Sequence, residues 1–166
     1  MNPDQSNKEH LVEAQTLAKD VKFCMFTVQD AKGKLISAPM TTQHFESFEK
    51  ELWFIGSKKS SLVQALRTPS EVNLSYVDAS AKDYLSLSGT AQLVDNPEKL
   101  AELWSDFYEV YFESENDPDI QLISVTPTGL EYWKSNGTLV NLFELGKALA
   151  TGEKADLGER HSLRIQ

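Results

Sequence analysis

Residues 52–61 read LWFIGSKKSS, an apolar strand that passes directly into glycine, serine and lysine. A short helix is expected from Ser60 to Arg67, ending before Pro69. The start of a helix presents backbone N–H groups without acceptors, and its dipole favours negative charge. Because serine hydroxyls and two lysine ammonium groups add donors, the loop 56–61 is a candidate phosphate-binding site. The alternative is a solvated loop whose serines only cap the helix.

A second segment, residues 35–40, reads LISAPM and is expected to form a neighbouring strand. Residues 21–28 are rich in valine, phenylalanine and threonine and predict another strand. The polar turn 30–34 is expected to join this strand to the strand at 35–40 as a hairpin. Gly33 can take the positive φ that such a turn requires. Pro39 lacks a backbone N–H, which favours an edge strand or a bulge at this point.

Hairpins and short links connect most of the remaining elements. The patterns predict a first helix over about 6–20, strands at 72–77, 84–94, 121–125 and 130–133, a helix from Asn96 with an apolar face reaching Tyr111, a last helix over 139–149 closed by Gly152, and a short strand at 162–166. Gly89, inside a strand, is expected to mark a bulge or a close backbone approach. This order favours an antiparallel sheet or barrel with peripheral helices, which is a mainly β fold of α+β type. We expect one domain spanning residues 1–166. Its C-terminal helix and short strand would occupy about 138–166.

Composition excludes several functional classes. The chain has 166 residues and a net charge of −9, which does not suit broad contact with nucleic acid because phosphate groups need clustered lysine and arginine. Cys24 is the single cysteine, and its apolar surroundings indicate a buried structural thiol. Neither a leader-like start nor a long apolar run occurs, so we expect a cytoplasmic protein that does not enter membranes.

Other chemistry-bearing patterns are weak. The loop does not match GxxxxGK[ST], and no GxGxxG occurs, so neither nucleotide hydrolysis nor a Rossmann site is supported. Asp117 and Asp119 predict an acidic turn rather than a metal site. The three histidines, His10, His44 and His161, do not have the spacing of metal ligands, so they predict no metal site. Trp133 ends a strand, where it would fill the core or an interface, or stack on a flat heterocycle.

Short motifs follow one another in an order typical of a known family. They are SAPM at 37–40, LWFI at 52–55, SGTAQLVD at 88–95, LW at 103–104, DP at 117–118, EYW at 131–133 and a tail at 148–159. Through them the chain resembles the general stress protein branch of the pyridoxamine 5'-phosphate oxidase-like split barrels. The resemblance runs from about residue 12 to the C-terminus. It implies a six-stranded antiparallel split barrel, a homodimer, and FMN bound at the subunit interface.

The resemblance also implies which residues hold the flavin. Strand 37–40 would lie beside the flavin, strand end 54–56 would adjoin it, and loop 57–62 would bind its phosphate. The partner subunit would bring a tryptophan close to the flavin. In chain order, the implied cofactor-binding residues are Ser37, Ala38, Pro39, Met40, Phe54, Ile55, Gly56, Ser57, Lys58, Lys59, Ser60, Ser61 and Trp133.

Two positions depart from the family pattern. Ala38 stands where the family has an arginine, and Leu62 stands where it has a lysine. A charged hydrogen bond contributes roughly 1.5–3 kcal/mol, so the loss of both would weaken flavin binding by orders of magnitude. Lys58 and Lys59 lie close to the missing lysine, and a lysine can reach a phosphate from a displaced position.

These features lead to one functional hypothesis and one alternative. The hypothesis is a dimeric FMN-binding flavoprotein of the general stress protein type, in which the flavin would carry any oxidoreductase chemistry on an unknown substrate. No residue is identified as a general acid or base. The alternative, favoured by Ala38 and Leu62, is a split barrel that has lost flavin and acts as a non-catalytic ligand-binding or stress-related interaction protein. True pyridoxamine-phosphate oxidation is not expected, because the tail around Arg160, His161 and Arg164 does not reproduce that branch's substrate site.

Overall fold

The computed structural model describes residues 3–66, 68–136, 147–152, 154 and 158–165. In chain order its elements are α1 (Pro3–Val21), β1 (Phe23–Gln29), β2 (Leu35–Thr41), β3 (Leu52–Ser57), α2 (Ser61–Ala65), β4 (Ser70–Asp78), β5 (Asp83–Val94), α3 (Pro97–Leu103), a 3₁₀ helix (Asp106–Val110), β6 (Ile120–Ser135) and β7 (Gly158–Arg164). Residues 147–151 are also helical. No helix within the described ranges has the length and apolar character needed to span a membrane.

A seven-stranded antiparallel sheet forms the body of the described chain. Its main path runs β2-β1-β4-β5-β6-β3, and β7 pairs with β6 outside that path. The two ends of the path meet, because the Gln43 N–H, just beyond β2, donates to the Trp53 carbonyl in β3 at 2.8 Å. The sheet therefore curls on itself without a continuous ladder between β2 and β3, as in a split barrel. The predicted fold class is confirmed, with six strands on the main path and β7 as a seventh.

Alternate residues of the strands face a buried core, and α1 covers part of it. Phe26 of β1 and Phe54 of β3 are fully buried and meet edge to face, with ring centroids 5.3 Å apart. Ala14 and Ala18 of α1 pack into the same core at helical spacing. Cys24 is buried as predicted, and burial raises the pKa of its thiol to about 12. The core thus fixes β3 and, through its pairing with β1, strand β2, and these two strands carry most of the candidate site residues.

Strand β6 is longer than the sequence predicted. Two strands were expected on either side of Pro127, but the structure forms one strand, Ile120–Ser135, so that prediction was wrong. The β5–β6 register shifts at Gly89, which pairs with Pro127 and leaves Thr128 as an extra bulge residue. A proline is tolerated at a bulge because no ladder donor is needed there. A Cβ at Gly89 would lie 2.7 Å from the Thr126 carbonyl oxygen, so the predicted close backbone approach is confirmed.

The sequence correctly predicted the turn at Gly33 and the edge position of β2, but the predicted end of one helix was wrong. Gly33 has φ of 81°, and β2 is an edge strand, as Pro39 indicated. The apolar helix face does not extend to Tyr111, because α3 ends at Leu103 and a separate 3₁₀ helix follows. Serine and aspartate at 105–106 favour caps and turns over a helix interior. Tyr111 is consequently 67% exposed.

The C-terminal predictions are only partly within the described residues. Residues 139–146 of the expected last helix lie outside them, whereas 147–151 are helical. Gly152 has φ of 73°, and its N–H donates to the Ala148 carbonyl at 2.8 Å, which confirms the predicted C-terminal cap. The final strand, β7, starts at Gly158, earlier than the expected residue 162.

Candidate functional site

The loop between β3 and α2 is held in place by the acidic turn at 117–119. The Ser57 hydroxyl donates to Asp119 Oδ2 at 2.5 Å, and the Lys58 N–H donates to the Asp119 carbonyl at 2.8 Å. The Lys58 ammonium donates to the Pro118 carbonyl at 2.8 Å, and the Lys59 ammonium lies 4.0 Å from Asp119 Oδ1. Both lysine side chains are therefore directed toward the turn.

The turn itself is negatively charged, as the sequence predicted. Backbone N–H groups of Asp119 and Glu113 donate to the Asp117 side chain, and these hydrogen bonds lower the pKa of its carboxyl. Asp119 adds a carboxylate directly beside the loop. Sequence reasoning did not connect Asp119 with the loop, because the β3–β6 register that pairs Ser57 with Ile120 creates this contact.

Ser60 caps α2. Its hydroxyl accepts from the Val63 N–H at 3.2 Å and donates to the Ser57 carbonyl at 2.8 Å. The capping role that the sequence left open is therefore observed. The N–H groups of Ser61 and Leu62, in the first turn, have no acceptor within the helix, and the Ser61 side chain is exposed. These groups, with the two lysines, are the donors that the loop offers to an anion.

The Leu62 side chain is committed to the core rather than to the loop. It is 1% exposed and belongs to the main hydrophobic cluster. A lysine at this position would have to carry its ammonium group out of that cluster to reach a ligand. The departure from the family pattern is therefore a packing feature of this chain.

Gly56 brings β3 close to β2 and α2. A Cβ at Gly56 would lie 3.5 Å from Met40 Cε of β2 and 3.2 Å from Val63 Cγ2 of α2. A larger residue would therefore press on both neighbours. Phe54 and Ile55 precede Gly56 and are buried, so a ligand could reach this strand end mainly through its backbone.

The candidate residues of β2 lie on two faces. Ala38 and Met40 face inward and pack against the main core, whereas Ser37 and Pro39 are exposed on the outer face. Ser37 Oγ lies 2.9 Å from Thr27 Oγ1 of β1. Because Ala38 offers only a methyl group, strand β2 supplies no cation to the site.

Trp133 lies near the opposite end of β6 from the loop. Ile120 pairs with Ser57 at one end of the strand, whereas Trp133 pairs with Tyr84 and Arg160 near the other. At a rise of about 3.3 Å per residue, the two positions are roughly 40 Å apart along an extended strand. The structure therefore brings Met40 of β2 next to Gly56 at the start of the loop but does not add Trp133 to them within one chain.

The surroundings of Trp133 form an open groove of about 520 Å³. The guanidinium carbon of Arg160 lies 5.7 Å from the Trp133 ring centroid, within the range of a cation–π contact. Tyr84 and two lysines, Lys82 and Lys134, complete the aromatic and cationic lining. Glu159 also lines the groove, and the Arg160 and Lys134 cations are already paired with carboxylates, so the groove suits a flat ring rather than an anion.

The outer face of strands β4 and β5 lies between the loop and the Trp133 groove. Small polar residues occupy its centre, where Asn73 Nδ2 donates to Ser86 Oγ at 2.7 Å and Ser75 Oγ donates to Asn73 Oδ1 at 2.8 Å. Val77 and Tyr84 pair across β4 and β5 beside this centre, and both are 47% exposed. Val77 and Tyr84 together form a small exposed apolar patch on the outer face of the sheet.

Comparison with known families accounts for this arrangement. The sequence model of the family described as pyridoxamine 5'-phosphate oxidase like matches residues 8–156. The chain belongs to this family. Residue-level signals and the family match therefore agree over nearly the whole chain, and the resemblance seen in the sequence is confirmed.

Individual relatives of this pyridoxamine 5'-phosphate oxidase-like chain identify the branch. A solved structure of a general stress protein 26 candidate from Jannaschia sp. CCS1 is 27% identical, with a TM-score of 0.75 over 95% of this chain and 99% of that chain. The general stress FMN/FAD binding protein of Xanthomonas citri shares the fold, at 20% identity and a TM-score of 0.69 over 79% of this chain and 92% of that chain. Protein bli-3 of Neurospora crassa is 24% identical over 156 residues, 87% of this chain and 75% of that protein. The predicted general stress protein branch is thereby confirmed.

Proposed function

We propose that this protein is a homodimeric FMN-binding flavoprotein of the general stress protein type. Its family and the Xanthomonas citri relative, named for FMN/FAD binding, support the proposal. The observation that carries it is the donor set of the 57–61 loop. Two lysines, an exposed serine and the first N–H groups of α2 remain beside the Gly56 strand end, although the family's arginine and lysine are replaced.

The loop fits a flavin phosphate in the kind and number of its donors. The side chains of Lys58 and Lys59 are exposed, and their present partners are a carbonyl and a carboxylate oxygen 4.0 Å away. A lysine has a flexible stem, so each ammonium group could turn from the 117–119 turn to a phosphate at the start of α2. A charge-assisted contact with phosphate is stronger than one with a neutral carbonyl. Asp119 would oppose this binding by repulsion.

The dimer would complete the site. Trp133 and the loop are too far apart to act together in one chain, so the partner subunit's Trp133 would have to cover the flavin ring. Val77 and Tyr84 on the outer sheet face supply an apolar surface for such pairing. FMN, when bound, supplies the redox chemistry, and the protein supplies its position and electrostatic surroundings.

Absorbance and sedimentation of the purified protein test this proposal. We expect yellow protein that releases FMN on denaturation, and a dimer at micromolar concentration. The proposal would be overturned by colourless protein that fails to quench the fluorescence of added FMN at micromolar levels. A chain that remains monomeric at high concentration would contradict the shared site.

A second candidate function is a split barrel without flavin. Three observations favour it, namely the methyl side chain of Ala38, the burial of Leu62 in the core, and the Asp119 carboxylate beside the loop. Such a protein would act as a non-catalytic ligand-binding or interaction protein. A dimer that binds no FMN, with intact folding by circular dichroism, would select this candidate over the first.

A further inference from the structure

Two histidines from opposite ends of the sequence meet in the structure. His10 lies on α1, and His161 lies on β7, paired with Tyr132 of β6. Their rings stack with centroids 3.3 Å apart and an interplanar angle of 16°. Sequence spacing did not reveal this pair, because it depends on how α1 packs against β7.

Two carboxylates flank the histidine pair. Glu159 Oε2 lies 3.3 Å from His161 Nε2, and Glu13 Oε2 lies 3.5 Å from His10 Nδ1. One ligand atom from each of His10, His161 and Glu159 lies within 4.8 Å of the other two. This cluster is separate from the phosphate loop, which adjoins the start of β6.

Burial distinguishes this cluster from a chance surface group. The side chains of His10 and His161 are only 18% and 17% exposed. His161 Nε2 is buried and makes no hydrogen bond with the part of the chain that the structure describes. Glu159 Oε2 lies 3.3 Å from this nitrogen, and a metal ion bound by both groups would satisfy the pair.

Glu13 is held in place from its other side. Burial tends to raise the pKa of its carboxyl, but a hydrogen bond and charge from Lys134, together with His10, lower it overall. The Lys134 contact ties Glu13 of α1 to β6. The carboxylate is thus positioned next to His10 without depending on a metal.

We propose that His10, His161 and Glu159 form a binding site for a divalent transition metal, with Zn²⁺ as the ion that fits best. Two imidazoles and one carboxylate are an established Zn²⁺ ligand set, and water fills the fourth position of such sites. Glu13 would act as a positioning residue, because its Oε2 lies 3.5 Å from His10 Nδ1, and a carboxylate that accepts from the second ring nitrogen orients a ligating histidine. Stacked rings present their lone pairs side by side, so binding requires the rings to rotate until both point at one ion.

The metal would join the two ends of the chain. His10 belongs to α1, whereas both other ligands belong to β7, so a bound ion would cross-link elements that otherwise meet through side-chain packing. Any ligand that binds only the folded state raises its stability. Zn²⁺ binding should therefore raise the melting temperature, and it should do so whether or not flavin is bound.

Calorimetric titration of the full chain with ZnCl₂, after removal of metal with a chelator, tests the site. We expect one Zn²⁺ per chain with a dissociation constant in the micromolar range or below, and a higher melting temperature with Zn²⁺. His161→Ala and Glu159→Gln should each weaken binding more than about tenfold. Glu159 is 71% exposed, so its variant will fold even if the histidine variant does not.

His44→Asn is the matched control. His44 is exposed on a loop with φ of 38°, a conformation that asparagine tolerates. This variant should bind Zn²⁺ as the unmodified protein does. The inference is overturned if the unmodified protein shows neither heat nor a melting shift with Zn²⁺. It is also overturned if Glu159→Gln binds like the unmodified protein, or if His44→Asn loses binding.

Discussion

The two ends of β6 differ in what they offer to a ligand. At the Ile120 end, the serines and lysines of the loop find partners within the chain, in the turn at 117–119. At the Trp133 end, an aromatic groove lies open on one face of β6 and β7, whereas the His10–His161 pair is largely buried between α1 and β7. A ligand at the first end must compete with existing contacts, whereas the second end offers an open aromatic ring face and, between α1 and β7, a largely buried histidine pair.

The two ends also differ in how far apart their residues lie in the sequence. The loop end was visible in the sequence because strand end, glycine and serine cap are neighbours along the chain. The Trp133 end depends on pairing between β5, β6 and β7 and on the docking of α1. Changes at one end of β6 should therefore not affect the other end.

Truncating a side chain of the shared core should have the largest effect, a loss of folding stability. Phe54 is fully buried against Phe26, so Phe54→Ala should cost about 3–5 kcal/mol of unfolding free energy. Denaturant unfolding followed by circular dichroism measures this loss. Phe107→Ala is the control, since Phe107 is 46% exposed and its loss should cost no more than about 1 kcal/mol. Equal losses in the two variants would contradict the described core.

A charge on the outer face near Trp133 should weaken dimer formation without affecting the loop. Tyr84→Glu places a carboxylate on the proposed subunit interface, and the dimer dissociation constant should rise about thirtyfold, equivalent to about 2 kcal/mol. Sedimentation velocity over a concentration series measures it. Tyr111→Glu, on the 3₁₀ helix side of the molecule and 67% exposed, should leave the dimer unchanged. A dimer that tolerates Tyr84→Glu would place the interface elsewhere.

Removing the loop lysines should weaken FMN binding at the Ile120 end of β6. Replacing both Lys58 and Lys59 with alanine should lower FMN affinity about tenfold or more, since each lost charged contact contributes roughly 1.5–3 kcal/mol. FMN fluorescence quenching gives the affinity. The same double replacement at Lys32 and Lys34, in the distant β1–β2 hairpin, matches the change in charge. Unchanged affinity in the loop variant would reject these lysines as phosphate ligands.

Removing the opposing carboxylate should have the smallest effect, in the opposite direction. Asp119→Asn keeps an oxygen that can accept from the Ser57 hydroxyl but removes the repulsion of a phosphate. FMN affinity should rise about threefold to tenfold, on the order of 1 kcal/mol. Asp20→Asn, on the exposed end of α1, controls for the change in net charge. Weaker binding in Asp119→Asn would mean that the turn supports the site rather than opposing it.

Local signals predicted most of the fold. The turn at Gly33, the edge strand at Pro39 and the close approach at Gly89 all follow from backbone requirements that a single residue reveals. The division of β6 at Pro127 was wrong, because a bulge is a property of two paired strands. The helix face ending at Tyr111 was wrong because periodicity alone does not register the turn preference of 105–106.

The site was predictable only where its parts are neighbours in sequence. The Ser60 cap and the exposed lysines followed from the order of residues in the loop. The contact of Asp119 with Ser57 required the β3–β6 register, and the meeting of His10 with His161 required the docking of α1. Long-range pairs of this kind leave no spacing pattern in a single sequence.

The loop is proposed to hold a flavin phosphate without the family's arginine and lysine. Titration of the flavin-free protein with FMN and, separately, with riboflavin tests it most directly, because the two ligands differ only in the phosphate. FMN should bind at least about tenfold more tightly than riboflavin, and alanine at Lys58 and Lys59 should remove most of that preference. Equal affinity for the two flavins, or no binding of either, would contradict the claim.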